Sequence, residues 1–255
     1  LSAGENYTLA LSGDVMFEIT KLSLATAVVT LDNASFTYDG TAKTPAVTVK
    51  KGNSTVDPGE YDISYSNSNG GAGDNIHAGT VTVTVIAKES GNYSGSNSKA
   101  TFTIAPKELT PAISGTTTKT YDGTTNAPAD LSITLTGAVD GDTVTATATG
   151  YTYDNADAGD NKTITASGIT LDGTSKTNYT LSSTSATVNG KIEKATVSIT
   201  WGSPTQAVTY SGAQAVIIAP AISAQGNVSV SVTPAYSYKA QDGTEFKDGL
   251  PINAG

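Results

Sequence analysis

The chain has 255 residues, with 23 acidic and 14 basic side chains, and its formal net charge is −9 at pH 7. Every basic residue is a lysine, so the chain lacks arginine, the residue best suited to bidentate phosphate and base-edge contacts. An acidic chain without arginine is repelled by nucleic acid and by anionic lipid, so we expect no nucleic-acid partner and no direct membrane contact.

Residues 1–21 are predicted to be the tail of a truncated repeat. Asn6-Tyr7-Thr8 recurs as Asn92-Tyr93-Ser94 and as Asn178-Tyr179-Thr180, at intervals of about 86 residues. Other markers recur in the same order, which indicates an internal repeat. They are the unit-ending lysines Lys21, Lys107 and Lys194 and the Ala-Gly pairs at Ala78, Ala158 and Ala254.

Residues 22–107 are predicted to be a complete repeat. Its opening motif is Tyr38-Asp39-Gly40-Thr41. Valine and threonine alternate strictly over residues 80–85, which predicts a strand with one apolar and one wet face. The same period of two marks residues 61–65 and 102–104 as strands.

Residues 108–194 are predicted to be a second complete repeat, opened by Tyr121-Asp122-Gly123-Thr124. Leu131, Ile133 and Leu135 alternate with polar residues and predict another strand. Aspartate-glycine pairs such as Asp140-Gly141 and Asp172-Gly173 predict turns, because glycine tolerates a positive φ.

Residues 195–255 are predicted to be the head of a truncated third repeat, with the weakened motif Tyr210-Ser211-Gly212-Ala213. Valines alternate with polar residues over 228–233 and predict a strand. A different phase, with three permuted units filling the chain, stays open. If the truncated phase holds, exposed sheet edges at the two ends favour head-to-tail self-association between molecules.

The predicted fold class is all-β: tandem small immunoglobulin-like antiparallel β-sandwich repeats in an elongated rod. No stretch shows a sustained helical period with capping residues, so no helix longer than a turn is expected. The junctions near residues 102–111 and 191–197 contain no Gly/Ser linker, which predicts that consecutive units are coupled stiffly.

These motifs resemble bacterial immunoglobulin-like surface repeats. The resemblance rests on residues 36–45 (FTYDGTAKTP), on 59–65 (GEYDISY) and on the Asn-Tyr pairs. The second unit resembles the YDG type, and the third is similar to the related MBG type. The resemblance implies an extracellular place, on the bacterial cell surface, in the cell wall or in a secreted protein, and a role as an adhesin stalk or as a spacer beside catalytic modules.

The motif tyrosines, Tyr38 and Tyr121, are interpreted as core or corner aromatics, with Asp-Gly forming the turn after them. Stacking on a ligand is the competing interpretation. The Asn-Tyr pairs are interpreted in the same way, as a turn asparagine followed by a buried tyrosine.

No cofactor and no catalytic residue are predicted. The chain has one histidine, His77, and no cysteine, so a zinc site lacks its usual ligands. Calcium is the single metal considered, because Asp154, Asp157 and Asp160 cluster in one oxygen-rich stretch with Asn155 and Asn161. Ala156 and Ala158 interrupt the EF-hand order, so a solvated acidic loop is the competing interpretation.

The sequence favours a non-catalytic structural array, a spacer or adhesion stalk, over an enzyme. The alternatives are a glycan- or mucin-binding module and an accessory module beside an enzyme domain. Isopeptide bonds at Lys21, Lys107 or Lys194 are a further hypothesis. The candidate partners are host or cell-wall glycans and surface proteins. The aromatic residues considered as a glycan-stacking surface are Tyr151, Tyr153, Trp201, Tyr236 and Tyr238.

Overall fold

The structure, a computed structural model, describes residues 13, 17–200, 219–225, 229–230, 238–239 and 245–246. These residues form an all-β protein, and three-residue 3₁₀ turns lie at Pro58–Glu60 and Lys176–Asn178. The expectation of no longer helix is confirmed for this part of the chain. No helix found there has the length and apolar character needed to cross a membrane.

The described residues before Lys107 form ten strands. They are β1 (Leu22–Ser23), β2 (Val28–Leu31), β3 (Ser35–Thr37), β4 (Val47–Lys51), β5 (Ser54–Thr55), β6 (Tyr61–Asn67), β7 (Gly71–Ala72), β8 (Gly79–Ala87), β9 (Tyr93–Ser94) and β10 (Ser96–Ala105). The larger sheet has the order β3-β10-β8-β6-β7, and a three-stranded sheet has the order β2-β4-β5. β3 pairs with β10 in parallel, β1 pairs with β9 in parallel, and the other pairs are antiparallel.

The core of this region follows from the alternation in β8. Val81, Val83 and Val85 are completely buried, while the threonines between them lie on the opposite face. Val85 joins a cluster that also contains Leu24, Val49 and Tyr61, which come from both sheets or their flanking loops. The two sheets therefore enclose an apolar core, as in a sandwich.

From Lys107 onwards, thirteen strands lie in the part of the chain that the structure describes. They are β11 (Lys107–Ser114), β12 (Thr118–Thr120), β13 (Ser132–Thr136), β14 (Thr145–Thr147), β15 (Gly150–Tyr153), β16 (Gly159–Ser167), β17 (Thr170–Asp172), β18 (Tyr179–Leu181), β19 (Ala186–Glu193), β20 (Val197–Thr200), β21 (Ala221–Ala224), β22 (Tyr238–Lys239) and β23 (Glu245–Phe246). They form sheets in the orders β12-β19-β16-β15 and β13-β11-β18, with the pairs β14-β17, β20-β21 and β22-β23.

The strand order of the first repeat recurs in the second. β12 pairs with β19 in parallel, β19 with β16 and β16 with β15 antiparallel, which matches β3-β10-β8-β6 strand for strand. A separate core cluster of Leu131, Tyr153, Ile164 and Ile192 fills this second copy. The repeated sequence markers thus correspond to a repeated strand order, and a core cluster is found in each copy.

The chain divides into two compact units that do not coincide with the sequence repeats. Unit 1 consists of Leu1–Glu108, Gly137–Thr143 and Thr174–Thr180, and unit 2 consists of Leu109–Thr136, Val144–Gly173 and Leu181–Gly255. Two short loops of the second repeat therefore belong to unit 1.

One predicted strand is not found where its residues are described. Ser229 and Val230, in the alternating stretch 228–233, lie outside any strand, and the rest of that stretch is outside the described residues. Ile63 alternates with polar residues in β6, which predicts an apolar face, but 40% of it is exposed. Period-two alternation sets the direction of a side chain, whereas its burial also depends on what covers that face.

Candidate functional site

The first Tyr-Asp-Gly motif closes a turn through its aspartate. Asp39 Oδ1 accepts hydrogen bonds from Thr41 N–H at 2.9 Å and from the Thr41 hydroxyl at 2.6 Å. Gly40 has φ of +80°, a conformation that an L side chain rarely adopts. Lys43 is buried, forms an ion pair with Asp39 and donates to Thr41 Oγ1 at 3.0 Å. We call this Asp-Thr-Lys arrangement the clamp.

The second motif forms the same clamp with a lysine from the other side of the turn. Asp122 Oδ1 accepts from Thr124 N–H and from the Thr124 hydroxyl, each at 2.9 Å, and Gly123 has φ of +77°. Lys119 Nζ lies 2.8 Å from Asp122 Oδ1 and also donates to the backbone oxygens of Thr124 and Asn126 at 2.8 Å. Lys119 precedes its aspartate, whereas Lys43 follows its own.

The clamp lowers the pKa of both aspartates. The Lys43 ammonium, followed by the Thr41 hydrogen bonds, holds the pKa of Asp39 far below its usual range. The Lys119 ammonium is the main cause for Asp122, whose pKa falls to about 2 even though partial burial opposes the shift. Both carboxylates are therefore committed to acceptor roles in the turn and stay ionised at neutral pH.

In unit 1, Tyr38 and Tyr179 meet at Asp142. Only 3% of Tyr38 is exposed, and its hydroxyl donates to Asp142 Oδ2 at 2.9 Å. The Tyr179 ring packs edge to face on the Tyr38 ring, with centroids 5.5 Å apart, and its hydroxyl also donates to Asp142 Oδ2. Val139 N–H donates to the Tyr179 hydroxyl at 2.9 Å. We call Tyr38, Tyr179 and Asp142 the tyrosine cluster.

Two further contacts hold the tyrosine cluster in place. Ala78 N–H donates to Asn178 Oδ1 at 3.0 Å, and both residues are buried. Val139 packs against the open face of Gly40, where a Cβ added to the glycine would meet Val139 Cγ1 at 2.8 Å. The Ala-Gly marker and the Asn-Tyr marker thus touch each other directly in unit 1.

Burial and hydrogen bonding together set the ionisation of the tyrosine cluster. Desolvation, and then the hydrogen bond to Asp142, raise the pKa of Tyr38 to about 12. Desolvation acts to raise the pKa of Asp142 as well, but the hydrogen bonds from Tyr179 and Tyr38 outweigh it and lower that pKa. At neutral pH the tyrosine cluster consists of one ionised carboxylate that accepts hydrogen bonds from two neutral phenols. These hydrogen bonds hold the three side chains together and are not set up to transfer a proton.

The three candidate calcium ligands do not come together in the structure. Asp154 forms an ion pair with the buried Lys162 at 3.4 Å, and Asp160 forms one with Lys191 at 3.2 Å. Asp157 N–H donates to Asn155 Oδ1 at 3.1 Å. Within the described ranges, no three acidic or histidine side chains are grouped in a way that could hold a metal ion.

The aromatic residues considered for glycan stacking have different surroundings. Only 3% of Tyr153 is exposed, and its hydroxyl donates to Thr117 O at 2.9 Å, so it offers no ring face to a sugar. Tyr151 is partly buried against the core cluster that contains Tyr153 and Ile164. Trp201 and Tyr236 lie outside the described residues, and for Tyr238 the structure describes the β22 backbone alone.

The remaining predicted residues are on or near the surface. The His77 side chain is 53% exposed, with Nδ1 3.1 Å from Asp74 Oδ1. Lys21 Nζ donates to Glu89 O, and Lys194 is exposed. Among the lysines whose burial the structure describes, Lys43 and Lys162 are buried, and the isopeptide hypothesis did not include them.

The sequence reasoning missed three residues that organise these sites. Lys43 and Lys119 complete the clamps, and the signal for them was a lysine three or four residues from each motif aspartate. Asp142, which directly follows the predicted Asp140-Gly141 turn, is the shared acceptor of Tyr38 and Tyr179. No pattern among neighbouring residues indicates that role, because the two tyrosines lie 104 and 37 residues away along the chain.

The described residues form an all-β chain in which the Tyr-Asp-Gly motif occurs twice, each time with the same clamp. Residues 105–187 match the family model of the YDG domain, which confirms the YDG type for the second unit. The MBG type of the third unit stays a prediction. No curated protein and no solved structure matches the chain.

Proposed function

We propose that the chain is a non-catalytic structural repeat array, a spacer or adhesion stalk, of a bacterial cell-surface or secreted protein. The observation that carries the proposal is that the repeated motif is used for structure at both described copies. Asp39 and Asp122 each bind a lysine and a threonine inside their own turn, and the Tyr38 hydroxyl is bound to Asp142.

We further propose that the array consists of immunoglobulin-like sandwiches in an elongated, stiffly coupled rod. Two features support this. A single residue, Pro106, separates β10 from β11, and proline restricts its own backbone and that of the residue before it. Loops Gly137–Thr143 and Thr174–Thr180 of the second repeat belong to unit 1. A stalk requires such coupling, because a flexible joint shortens its mean reach.

Spin labels provide the test, because the chain has no cysteine and any introduced pair can be labelled cleanly. Cysteines replace two exposed strand residues, Thr101 in β10 and Thr187 in β19. Pulsed dipolar spectroscopy on the full chain is expected to give one narrow distance distribution. The matched control inserts Gly-Ser-Gly-Ser after Pro106 and should broaden that distribution while leaving far-UV circular dichroism unchanged.

A broad distribution in the chain without the insertion would overturn stiff coupling. Small-angle scattering of the full chain gives the second measurement. A compact globule of this length has a radius of gyration of about 18 Å. We expect a clearly larger value, and a value near the compact one would overturn the elongated array.

A further inference from the structure

The turn between β6 and β7 contains one of the two Asn-Gly dipeptides of the chain, Asn69-Gly70. β6 and β7 pair antiparallel with Asn67 opposite Gly71, so residues 68–70 form the exposed turn between them. Asparagine before glycine closes readily to a succinimide, because glycine has no side chain to keep its backbone nitrogen away from the asparagine side-chain carbon. The turn therefore presents a chemically reactive pair to solvent.

The carboxylate of Asp74 lies directly against Gly70. A Cβ added to Gly70 would overlap Asp74 Oδ2, so this oxygen fills the space that any other side chain at position 70 would need. A Cβ stands about 2.5 Å from the nitrogen of its own residue, which puts Asp74 Oδ2 within about 4 Å of Gly70 N. A base at this distance can accept the backbone proton after a small rotation or through one water.

The two carboxylate oxygens of Asp74 have different surroundings. Oδ1 accepts hydrogen bonds from Ile76 N–H at 2.9 Å and from His77 N–H at 3.2 Å. Oδ2 is buried, and none of the residues that the structure describes donates a hydrogen bond to it. Desolvation acts to raise the pKa of Asp74, but the hydrogen bonds from Ile76 and His77 outweigh it and lower that pKa. Asp74 is therefore an ionised carboxylate that is fixed through Oδ1 and faces Gly70 with Oδ2.

We propose that Asn69-Gly70 is a site of self-modification, at which Asp74 acts as the general base that converts Asn69 to aspartate and isoaspartate. Asp74 Oδ2 takes the proton of Gly70 N–H, and the Gly70 nitrogen forms a bond to Asn69 Cγ. The Cγ–Nδ2 bond breaks, and Nδ2 leaves as ammonia with the proton that Asp74 returns. Solvent water then opens the succinimide at either carbonyl carbon, which leaves aspartate or isoaspartate at position 69.

The second Asn-Gly dipeptide, Asn189-Gly190, has neither feature. It lies within β19, between β12 and β16. Gly190 is buried, and a Cβ added there would meet Thr117 O at 2.6 Å, so the backbone has no room to turn toward the asparagine side chain. The other atoms nearest to that point belong to Ile164 and Tyr153, and neither is an acid. Asn189 is therefore a matched control within the same chain.

Modification of Asn69 alters a contact next to the tyrosine cluster. Asn69 Nδ2 donates to Ala78 O at 2.7 Å, and Ala78 N–H donates to Asn178 Oδ1. The first bond opens for the reaction, and water can replace the carbonyl because Asn69 is exposed. The product has a carboxylate in place of the amide donor, so Ala78 O loses its partner and is repelled. This inference concerns a chemical change in one loop and holds whether or not the chain acts as a stalk.

Ageing of the full chain at neutral pH, in water enriched in the heavy oxygen isotope, tests the inference. Each succinimide that opens takes up one solvent oxygen, and lysine-specific digestion with mass spectrometry assigns that oxygen to Asn69 or Asn189. In the folded chain we expect Asn69 to react at least about tenfold faster than Asn189, and in urea the two rates should become similar. A rate at Asn69 that is lower in the folded chain than in urea would overturn the inference.

Two variants separate the base from the turn. Asp74→Asn keeps an acceptor oxygen for the two backbone N–H groups but removes the base, so Asn69 should react at least about tenfold more slowly. Asp57→Asn is the matched control, because Asp57 accepts from Gly59 N–H in a different loop, and the proline after it prevents a new succinimide. A rate at Asn69 that does not fall in Asp74→Asn would contradict the proposal. Near-native amide exchange at Ala78 shows that the loop is intact in the variant, and the comparison with urea decides the matter if it is not.

Hydrogen exchange measures the consequence of the modification. Once Asn69 has reacted, Ala78 N–H should exchange about fivefold faster than in the fresh chain, because the loop that holds it has lost a hydrogen bond. Equal exchange in the fresh and aged chains would show that the modification does not reach the contact with Asn178.

Discussion

The two described copies of the Tyr-Asp-Gly-Thr motif share a turn and differ around it. Both aspartates hold the threonine two residues on, and both glycines have φ near +80°. The tyrosines have different surroundings: Tyr38 is enclosed in the tyrosine cluster, whereas Tyr121 is partly buried. The lysine comes from after the turn in the first copy and from before it in the second.

This difference separates two functions within one motif. The Asp-Gly-Thr part is stabilised locally, because every hydrogen bond it requires lies within a few residues of the turn. The tyrosine depends on residues distant along the chain, because its contacts are set by the loop that covers it. The turn of the motif is thus the same in both copies, while the surroundings of its tyrosine differ.

Replacing the tyrosines should produce the largest difference between the copies. Tyr38→Ala removes a buried ring and one donor to Asp142, so the free energy of unfolding should fall by about 3–5 kcal/mol. Tyr121→Ala removes a partly exposed ring and should cost about 1–2 kcal/mol. Urea unfolding followed by tyrosine fluorescence and by circular dichroism measures both. Equal losses would contradict the described difference in burial.

Alanine at the two glycines should give the next largest difference. Both substitutions force an L side chain to a positive φ, at a cost of about 1 kcal/mol. Gly40→Ala also places a Cβ against Val139 Cγ1, whereas nothing lies within 4 Å of the corresponding point at Gly123. We therefore expect Gly40→Ala to lower the unfolding free energy by about 1–3 kcal/mol more than Gly123→Ala.

The steric part of that cost can be isolated with Val139→Ala. The double variant Gly40→Ala/Val139→Ala should lose less stability than the sum of its two single variants, because the smaller side chain relieves the contact. Additive losses in urea unfolding would show that Val139 does not press on Gly40.

Moving the clamp lysine tests whether its side of approach matters. Lys119→Met should lower the unfolding free energy by about 1–2 kcal/mol, because Asp122 and two backbone oxygens lose a charged donor. Asn126 stands four residues after Asp122, as Lys43 stands four residues after Asp39. Adding Asn126→Lys to Lys119→Met should therefore restore part of the loss. Thermal unfolding of the two variants gives the result, and no recovery would mean that the two clamps are not interchangeable.

The smallest expected effect is a dependence on acid. The folded-state pKa of Asp122, at about 2, lies below its ordinary value of 3.8. The carboxylate therefore stabilises the folded protein above about pH 4, and this contribution is lost as the pH falls toward 2. Because Asp122 is 40% exposed, solvent screening holds the effect below about 1 kcal/mol. The Asp122→Asn variant lacks this titrating group, so its melting temperature should fall less between pH 5 and pH 2 than that of the unmodified chain. An equal fall in the two chains would contradict the clamp.

The sequence was sufficient for properties that depend on neighbours along the chain. Alternation placed Val81, Val83 and Val85 on one face, and all three are buried. The motif Asp-Gly predicted a turn with positive φ, and Gly40 and Gly123 have it. The interpretation of Tyr38 and Tyr179 as buried aromatics is confirmed by exposures of 3% and 6%.

Properties that depend on distant residues were not accessible from the sequence. Tyr153 was considered as a glycan-stacking aromatic, but it packs against Ile164 of β16 and Ile192 of β19 and is buried. Asp154 and Asp160 looked like calcium ligands because they are close along the chain, but each pairs with a lysine whose position depends on the strand register. Spacing along the chain indicates which residues could meet, and pairing between strands decides which of them do.

β3 pairs with β10 in parallel, and β12 pairs with β19 in parallel. This pairing determines how each repeat responds to force applied at its two ends. In both pairs an early strand of the repeat lies beside its last strand and points the same way, so tension drags them past each other along their length. The hydrogen bonds between the two strands are then loaded together in shear, rather than broken one after another from one end.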